Sequence, residues 1–265
     1  EHPIQLTRGM YDQSENFRYL YSMAAVLLKK GEFKILGKTF EEPLLWFLGN
    51  QGYQEFEKLA PKSLPQQSYL APNFSYAVMR SGWEQDSGYC IISNNVAMPK
   101  WQHTLKHTDL LSLELFANGN ELLTDSGPYS FQETEEWNQY FRSTYAHNSI
   151  TVDRIKYINF SDRNIQGKFD QWVSTPIFDF LSGYHTGFED LEEPVAHRRS
   201  IFYFKPNYWI ITDLLTGEGQ HFFDQYFHFP PLRLNVDFIN KGVIDPFGIA
   251  CLAGLESASH NAEGE

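Results

Sequence analysis

The sequence predicts a mainly β protein, an antiparallel β-sandwich that follows a short helical segment. From residue 68 onward, short apolar runs alternate with turn residues, and this spacing is typical of a sandwich. Aromatic residues make up 16% of the 265 residues, and aromatic side chains favour strands. Helical periodicity is confined to residues 16–61.

The composition excludes several classes of protein. Lysine and arginine total 21 against 33 acidic residues, so the net charge is −12, and 42% of the residues are hydrophobic, which excludes intrinsic disorder. Because there is no Lys/Arg run, we expect no nucleic-acid partner. The apolar run Met23–Leu28 is far shorter than the ~20 residues of a membrane helix, so we expect no membrane insertion. Cys90 and Cys251 lack C-x-x-C spacing and are predicted to be free thiols.

Three helices are predicted in the N-terminal segment. The first begins after Asn16 and ends at Gly31, the second spans Phe40–Leu48, and the third spans Gln51–Leu59 and is stopped by Pro61. Each carries one apolar stripe, which is too little for three helices to bury themselves. We therefore expect them to be the end of a larger helical domain.

The first residues have neither the charged nor the apolar region of a signal peptide. We expect Glu1 to be a cut end with further residues upstream. The segment Leu64–Pro72 is the predicted hinge, which divides the chain into a helical part, 1–66, and a sandwich domain, 67–265.

The predicted strands are separated by distinct turns. Asn118-Gly119 is a strong hairpin signal, and Lys205-Pro206-Asn207 marks a second turn. The ten predicted strands are Tyr76–Arg80, Tyr89–Ser93, Leu110–Ala117, Glu121–Leu123, Ser149–Val152, Phe169–Val173, Thr186–Phe188, Arg198–Phe204, Tyr208–Thr212 and His221–Phe229.

Histidines and aspartates cluster between residues 103 and 147. If Gln102–Leu111 is extended, His103 and His107 project from one face. The hairpin then returns Asp125 to the neighbourhood of His107, and His147 begins another strand. Two imidazoles and a carboxylate suit a divalent ion, with zinc the first choice from ligand type. The spacing alone leaves open that each histidine is a separate surface group.

Three strings carry a family resemblance: KHTDLLSLELFANGNELLTDSGPYSF (106–131), YFRSTYAHNSITVD (140–153) and the basic-then-aromatic stretch that begins HRRSIFYF (197–231). Together they resemble the heparinase II/III-like family of polysaccharide lyases. The resemblance implies an α/α toroid followed by an antiparallel β-sandwich of the supersandwich kind, with the substrate cleft between them. It makes the helical part of this chain the end of the toroid. It also implies a mainly structural divalent metal on His107, Asp125 and His147, with Zn²⁺ as the first choice.

The resemblance implies β-elimination on an anionic, uronic-acid-containing polysaccharide or oligosaccharide, as in heparinases and alginate lyases. A base removes the proton at C5 and an acid protonates the leaving O4. Part of this machinery is expected from the toroid, upstream of Glu1. The resemblance also implies a periplasmic or extracellular location.

One position departs from the family pattern. Family members commonly carry H-x-H-x-D, but Leu105 stands here where the first histidine is expected. His103, two residues earlier, is the candidate catalytic residue. The alternative is a non-catalytic carbohydrate-binding or exopolysaccharide-handling protein that keeps the scaffold and the metal site.

Five further side chains are candidates for contact with the polysaccharide. Arg142 is suited to a uronate or sulfate, because a guanidinium fork matches such groups; a local salt bridge is the alternative. Tyr129 and Tyr145 are predicted to line the cleft, or else to pack. Trp101 and Trp137 are predicted either to stack on sugar rings or to pack in the core.

Overall fold

The computed structural model describes residues 18–65, 68–71, 76–94, 107–127, 135–155, 165–231, 234–237, 242–244 and 250–252. Two compact units divide the chain: the first extends to His228 and the second begins at Phe229. The predicted boundary between residues 66 and 67 is a different division and stays a prediction.

Three helices precede the sheets: α1 (Arg18–Leu28), α2 (Gly31–Gly37) and α3 (Glu42–Lys58). The prediction that Gly31 ends a helix is wrong, because Gly31 begins α2 after a turn in which Lys29 has φ 54°. A side chain at Gly31 would collide with the backbone carbonyl of Ala60, so close packing explains this glycine. Gly49, with φ 61°, interrupts α3 at the break expected between the second and third predicted helices.

The helices share one small core and leave much apolar surface exposed. Ala25, Val26 and Phe56 are buried together. Trp46 is 84% exposed and Phe47 is 72% exposed. The limited burial agrees with the expectation that three such helices do not bury themselves. None of the described helices has the length and apolar character that a membrane span requires.

The first sheet has five antiparallel strands in chain order, β1 to β5. They are β1 (Tyr69–Ala71), β2 (Tyr76–Arg80), β3 (Tyr89–Ser93), β4 (Leu113–Ala117) and β5 (Asn120–Leu123). Positive φ angles of 52° at Asn118 and 78° at Gly119 form the tight turn between β4 and β5, so the hairpin prediction is confirmed. β4 begins three residues later than predicted, because Leu111 has φ 57° and breaks the extended run.

Two short helices and a two-stranded sheet are formed by segments outside the two large sheets. α4 (Glu135–Arg142) and a 3-10 helix (Thr144–Ala146) lead into β6 (Ile150–Val152). β6 pairs with β11 (Phe223–Gln225), so the predicted strand His221–Phe229 is much shorter than expected. α4 was not predicted.

The second large sheet has the order β10-β9-β8-β7, all antiparallel. Its strands are β7 (Gly167–Ser174), β8 (Phe178–His185), β9 (Val195–Phe204) and β10 (Tyr208–Gly217). The predicted strand Thr186–Phe188 is wrong, since these residues form the turn region after β8. Burial alternates strictly along β9, with Val195 and every second residue to Tyr203 buried.

The two large sheets pack face to face as a β-sandwich, which confirms the predicted fold class. Ser68 donates a hydrogen bond to Asp179 of β8 at 2.5 Å, and Asn94 donates to the Tyr184 carbonyl at 2.9 Å. Between the sheets lie mainly apolar side chains, among them Met79, Ile92, Leu113, Leu181, Ile201 and Tyr203. Cys90 is buried there as a free thiol, as predicted.

The second unit contains a small antiparallel sheet of three strands. They are β12 (Asn235–Asp237), β13 (Gly242–Ile244) and β14 (Ala250–Leu252), in that order.

Candidate functional site

The structure brings His107, Asp125 and His147 together at one end of the first sheet. His147 Nδ1 lies 2.6 Å from Asp125 Oδ2, and the rings of His107 and His147 have centroids 5.2 Å apart. His107 precedes β4, Asp125 follows β5, and His147 follows the 3-10 helix. The β4–β5 hairpin therefore supplies two of these residues, and the chain segment before β6 supplies the third. We call these three residues the histidine–aspartate cluster.

Both ends of the connection between Asp125 and His147 are fastened at this cluster. The Ser126 hydroxyl donates to the Ala146 carbonyl at 2.9 Å, and Asp125 Oδ1 accepts from the Gly127 amide at 2.8 Å. The described ends of this connection therefore lie next to each other, and connections between regular elements often carry functional groups.

The buried Asn148 joins this loop to the hairpin. Its side-chain amide donates to the Leu113 carbonyl at 2.8 Å and to the Thr124 carbonyl at 3.0 Å, which lie at the ends of β4 and β5. Asn148 has no exposed surface. Its neighbour His147 is therefore held at a fixed distance from both strands of the hairpin.

α4 is attached to the residue next to His107. The Thr108 amide and hydroxyl both donate to the Arg142 carbonyl, at 2.9 and 3.0 Å. Arg142 is partly buried, and its positive charge is one of the groups that lower the pKa of His107. The predicted polysaccharide contact Arg142 thus lies beside the cluster.

The electrostatics of the cluster distinguish its two histidines. Burial, followed by the charge of His147, lowers the pKa of His107 to about 4, so this ring is neutral near pH 7. Burial also opposes the charged form of His147, but the hydrogen bond and charge of Asp125 outweigh it and raise the pKa. Burial favours the neutral form of Asp125, yet the hydrogen bond from His147 lowers its pKa. The proton is thus held on Nδ1 of His147, facing the carboxylate.

One atom of the cluster is suited to a metal ion. Nε2 of His147 is buried and has no hydrogen-bond partner, while its other ring nitrogen is held by a carboxylate, as metal-binding histidines commonly are. Within the described part of the chain, however, no three His, Cys, Asp or Glu side chains stand as a ready-made ligand set. Asp125 contacts His147 directly. The donor types fit a divalent ion, but Nε2 lies on the ring edge away from Asp125, so an arrangement with all three residues as ligands requires the imidazole to turn and its hydrogen bond with Asp125 to be replaced.

His228 is a neighbour of the cluster that the sequence did not indicate. Its amide donates to Asn148 Oδ1 at 2.6 Å, and its carbonyl accepts from the Thr124 amide at 3.0 Å. Nδ1 of its ring is buried without a partner, and burial, then the charge of His147, lowers its pKa. A histidine in an aromatic strand resembles a core residue in sequence, so only the pairing of β11 with β6 reveals its position.

Of the other residues predicted to contact the polysaccharide or act in catalysis, the structure describes some and not others. The Tyr145 hydroxyl donates to the Arg154 carbonyl at 2.6 Å, and its ring lies 5.3 Å from that of Tyr226. Trp101, His103 and Tyr129 lie outside the described residues, so their predicted roles stay predictions.

A buried arginine of the second sheet forms hydrogen bonds with the segments that carry the cluster. Arg199, 1% exposed, donates from Nη1 to the Leu111 carbonyl at 2.7 Å and to the Asn148 carbonyl at 2.6 Å. Its Nε and Nη2 donate to the two carboxylate oxygens of Asp213, at 2.8 and 2.9 Å. These contacts connect β9 and β10 to the segments that carry both histidines of the cluster.

Two further histidines extend from Asp213 in a single line of hydrogen bonds. His197 Nε2 lies 2.8 Å from Asp213 Oδ1, and His185 Nε2 lies 2.9 Å from His197 Nδ1. The Gly187 amide donates to His185 Nδ1 at 3.1 Å. Only neutral imidazoles satisfy every link, and burial lowers the pKa of both histidines. This line is saturated within the protein and therefore has a supporting role.

Comparison with known proteins agrees with this architecture. A family model described as heparinase II/III-like, C-terminal, matches residues 64–252. A curated heparin-sulfate lyase of Bacteroides stercoris is 24% identical over 201 residues, which cover 68% of this chain and 28% of that protein.

Solved structures with the same fold include a heparinase III, the BT4657 gene product, with a TM-score of 0.67 and 18% identity. The heparan sulfate lyase HepC from Pedobacter heparinus has a TM-score of 0.66 and 16% identity. They cover 86% and 85% of this chain, and this chain spans 31% of each of them.

Proposed function

Because the chain belongs to the heparinase II/III-like family, we propose that it is the C-terminal part of a polysaccharide lyase that cleaves a uronic-acid-containing polysaccharide by β-elimination. The family match over residues 64–252 is the observation that carries this proposal. The similarity to a curated heparin-sulfate lyase supports an anionic polysaccharide as substrate. The chain spans under a third of the length of these relatives, and we propose the activity for a protein that contains this chain.

The reaction requires a base at C5, a means of stabilising the carboxylate as negative charge develops, and an acid at O4. We assign the acid–base role within this chain to His103, and contact with the uronate to Arg142, Tyr129 and Tyr145. Arg142 has the support of position, since its backbone is fastened to Thr108 beside the cluster. A guanidinium there would offset the charge of the uronate.

A metal ion, with zinc as first choice, is part of the same proposal. His107, Asp125 and His147 would hold it after the imidazole of His147 turns away from its hydrogen bond with Asp125. The support is the donor chemistry of the three residues and the buried, unpartnered Nε2 of His147. When bound, the ion would cross-link the β4–β5 hairpin to the segment before β6. Its role is structural, and the acid–base chemistry is assigned to protein side chains.

A second candidate function is binding of the polysaccharide without cleavage. Leu105, which stands where family members commonly have a histidine, favours it. Both candidates place the protein in the periplasm or outside the cell, where such polymers are met. Cell fractionation tests that location.

One assay separates the two functions. Heparan sulfate, alginate and hyaluronan are each added to the purified protein, and ultraviolet absorbance is followed for the new C4–C5 double bond. The assay uses this chain and the longest natural protein that contains it. Growth of the signal with any polymer supports the lyase. Binding of a polymer by both proteins without any growth contradicts the lyase and supports the second candidate.

A further inference from the structure

α4 has an unusual distribution of side chains for a helix of a folded domain. None of its eight residues, Glu135–Arg142, is buried. Yet three of them are aromatic: Trp137 is 49% exposed, Tyr140 is 41% exposed, and Phe141 is partly buried. Packing in the core, one of the two expectations for Trp137, is therefore wrong. A cluster of aromatic residues at the surface beside a functional site indicates a binding surface.

The three rings support one another. Trp137 lies edge-to-face with Tyr140, with centroids 6.0 Å apart, and lies 6.1 Å from Phe141. Tyr140 and Phe141 are also edge-to-face at 5.3 Å. The spacings i, i+3 and i, i+4 place all three on one side of the helix. The indole is thus held by two neighbouring rings while half of its surface stays accessible.

The position of α4 connects this aromatic face to the histidine–aspartate cluster. The helix belongs to the loop that leaves Asp125 and returns to His147, and its last residue, Arg142, accepts two hydrogen bonds from Thr108. Its charges are also polarised: Glu135 and Glu136 lie in the first turn and Arg142 in the last. The basic end is the end beside the cluster, which suits an anionic chain approaching from that side.

We propose that Trp137 and Tyr140 form a stacking platform for one pyranose ring of the polysaccharide, at a position next to the sugar that contacts Arg142. The inference rests on the proposed function, because it takes a uronate polymer as the ligand. Trp and Tyr offer a flat apolar face for the C–H side of a sugar ring and a polar edge for its hydroxyls. A platform of this kind binds the ground state and the transition state alike.

The binding experiment uses Trp137→Ala and Trp137→Phe, with Trp46→Ala as the matched control. Trp46 is more exposed, at 84%, and lies on α3. Affinity for heparan sulfate and alginate tetrasaccharides is measured by titration calorimetry. We expect about tenfold weaker binding for Trp137→Ala, most of the affinity kept by Trp137→Phe, and no change for Trp46→Ala. Equal binding by Trp137→Ala and the wild type, or no binding of either probe by the wild type, overturns the platform.

A kinetic experiment separates this inference from the proposed function. In a protein that cleaves the polymer, Trp137→Ala should raise KM about tenfold with little change in kcat, because uniform binding is lost. Cleavage with an unchanged KM overturns the platform and leaves the lyase intact. Binding that depends on Trp137 without any unsaturated product supports the platform and contradicts the lyase. A concentration-dependent dimer that Trp137→Ala abolishes would assign the face to a second copy and overturn the proposal.

Discussion

Replacing the buried Arg199 with methionine should destabilise the whole sandwich. Methionine keeps much of the volume of the arginine stem but removes the guanidinium, which makes four hydrogen bonds in the folded protein. The change leaves the Asp213 carboxylate, 6% exposed, without its main cationic partner. It also leaves the carbonyls of Leu111 and Asn148 without their donor.

The size of the effect follows from these contacts. Breaking a buried ion pair by removing one partner costs about 3–5 kcal/mol, and buried carbonyls left without a donor add to that loss. We expect a total of about 5 kcal/mol in the free energy of unfolding. For a chain of this size, each kcal/mol moves Tm by about 2–4 °C, so Tm should fall by about 10–20 °C.

Arg198 provides the matched control, because it is the next residue and faces the other side of β9. Its guanidinium forms an exposed ion pair with Asp170 at 2.7 Å, which contributes about 0–1 kcal/mol. Arg198→Met should therefore lower Tm by less than about 4 °C. Thermal unfolding followed by circular dichroism measures both variants. Arg199→Lys, which keeps the charge but not the fork, should fall between them. Equal shifts for Arg199→Met and Arg198→Met would refute the reasoning.

Three other predictions test the site and its support. His147→Ala should abolish binding of the proposed metal ion and lower Tm. Elemental analysis of wild type purified without chelators tests whether the ion is present, and less than about a tenth of an equivalent contradicts the proposed site. His103→Ala should reduce turnover about 100-fold at unchanged metal content; if it changes nothing while Leu105→His raises elimination, the site is degenerate. Burial lowers the pKa of His185 and His197, so below pH 6.5 the unfolded chain binds more protons than the folded protein, and the folded protein loses stability as the pH is lowered. His185→Gln should therefore make the decrease in Tm between pH 7 and pH 5 smaller than in the wild type. A decrease as large as that of the wild type would disprove this prediction.

Much of the fold was predictable because local signals and tertiary structure agree. The Asn118-Gly119 turn fixes the β4–β5 hairpin, and that hairpin brings His107 close to Asp125. Strands such as β2 and β3 have bounds identical to the predicted ones, since their inward residues are apolar and their ends carry turn residues. Where the alternation of apolar residues and the turn residues determine strand register, the sequence alone is sufficient to predict the strand.

β8 could not be predicted for a physical reason. Its inward positions include Asp179 and His185, both fully or nearly fully buried, so the apolar alternation that indicates a strand is interrupted. Asp179 accepts a hydrogen bond from Ser68 and forms an ion pair with Lys205, whose Nζ lies 2.7 Å from Asp179 Oδ1. Because Ser68 is far from Asp179 in the sequence, the local sequence pattern around Asp179 does not show that it is paired. α4 was not predicted because it is only eight residues long, too short for its i, i+3, i+4 spacing to repeat.

These buried polar groups explain how the second sheet controls the site. Apolar contacts between the sheets are not directional and would permit small displacements. The hydrogen bonds from Arg199 to the Leu111 and Asn148 carbonyls are directional and fix the positions of both. Asp213 fixes the guanidinium of Arg199, and it also accepts from Gln225 of β11 at 2.8 Å, on the strand that leads to His228. The carboxylate of Asp213 thus orients both the guanidinium of Arg199 and strand β11. Because every contact in this line is directional, changes at Asp213 should displace the cluster residues themselves as well as weaken the core.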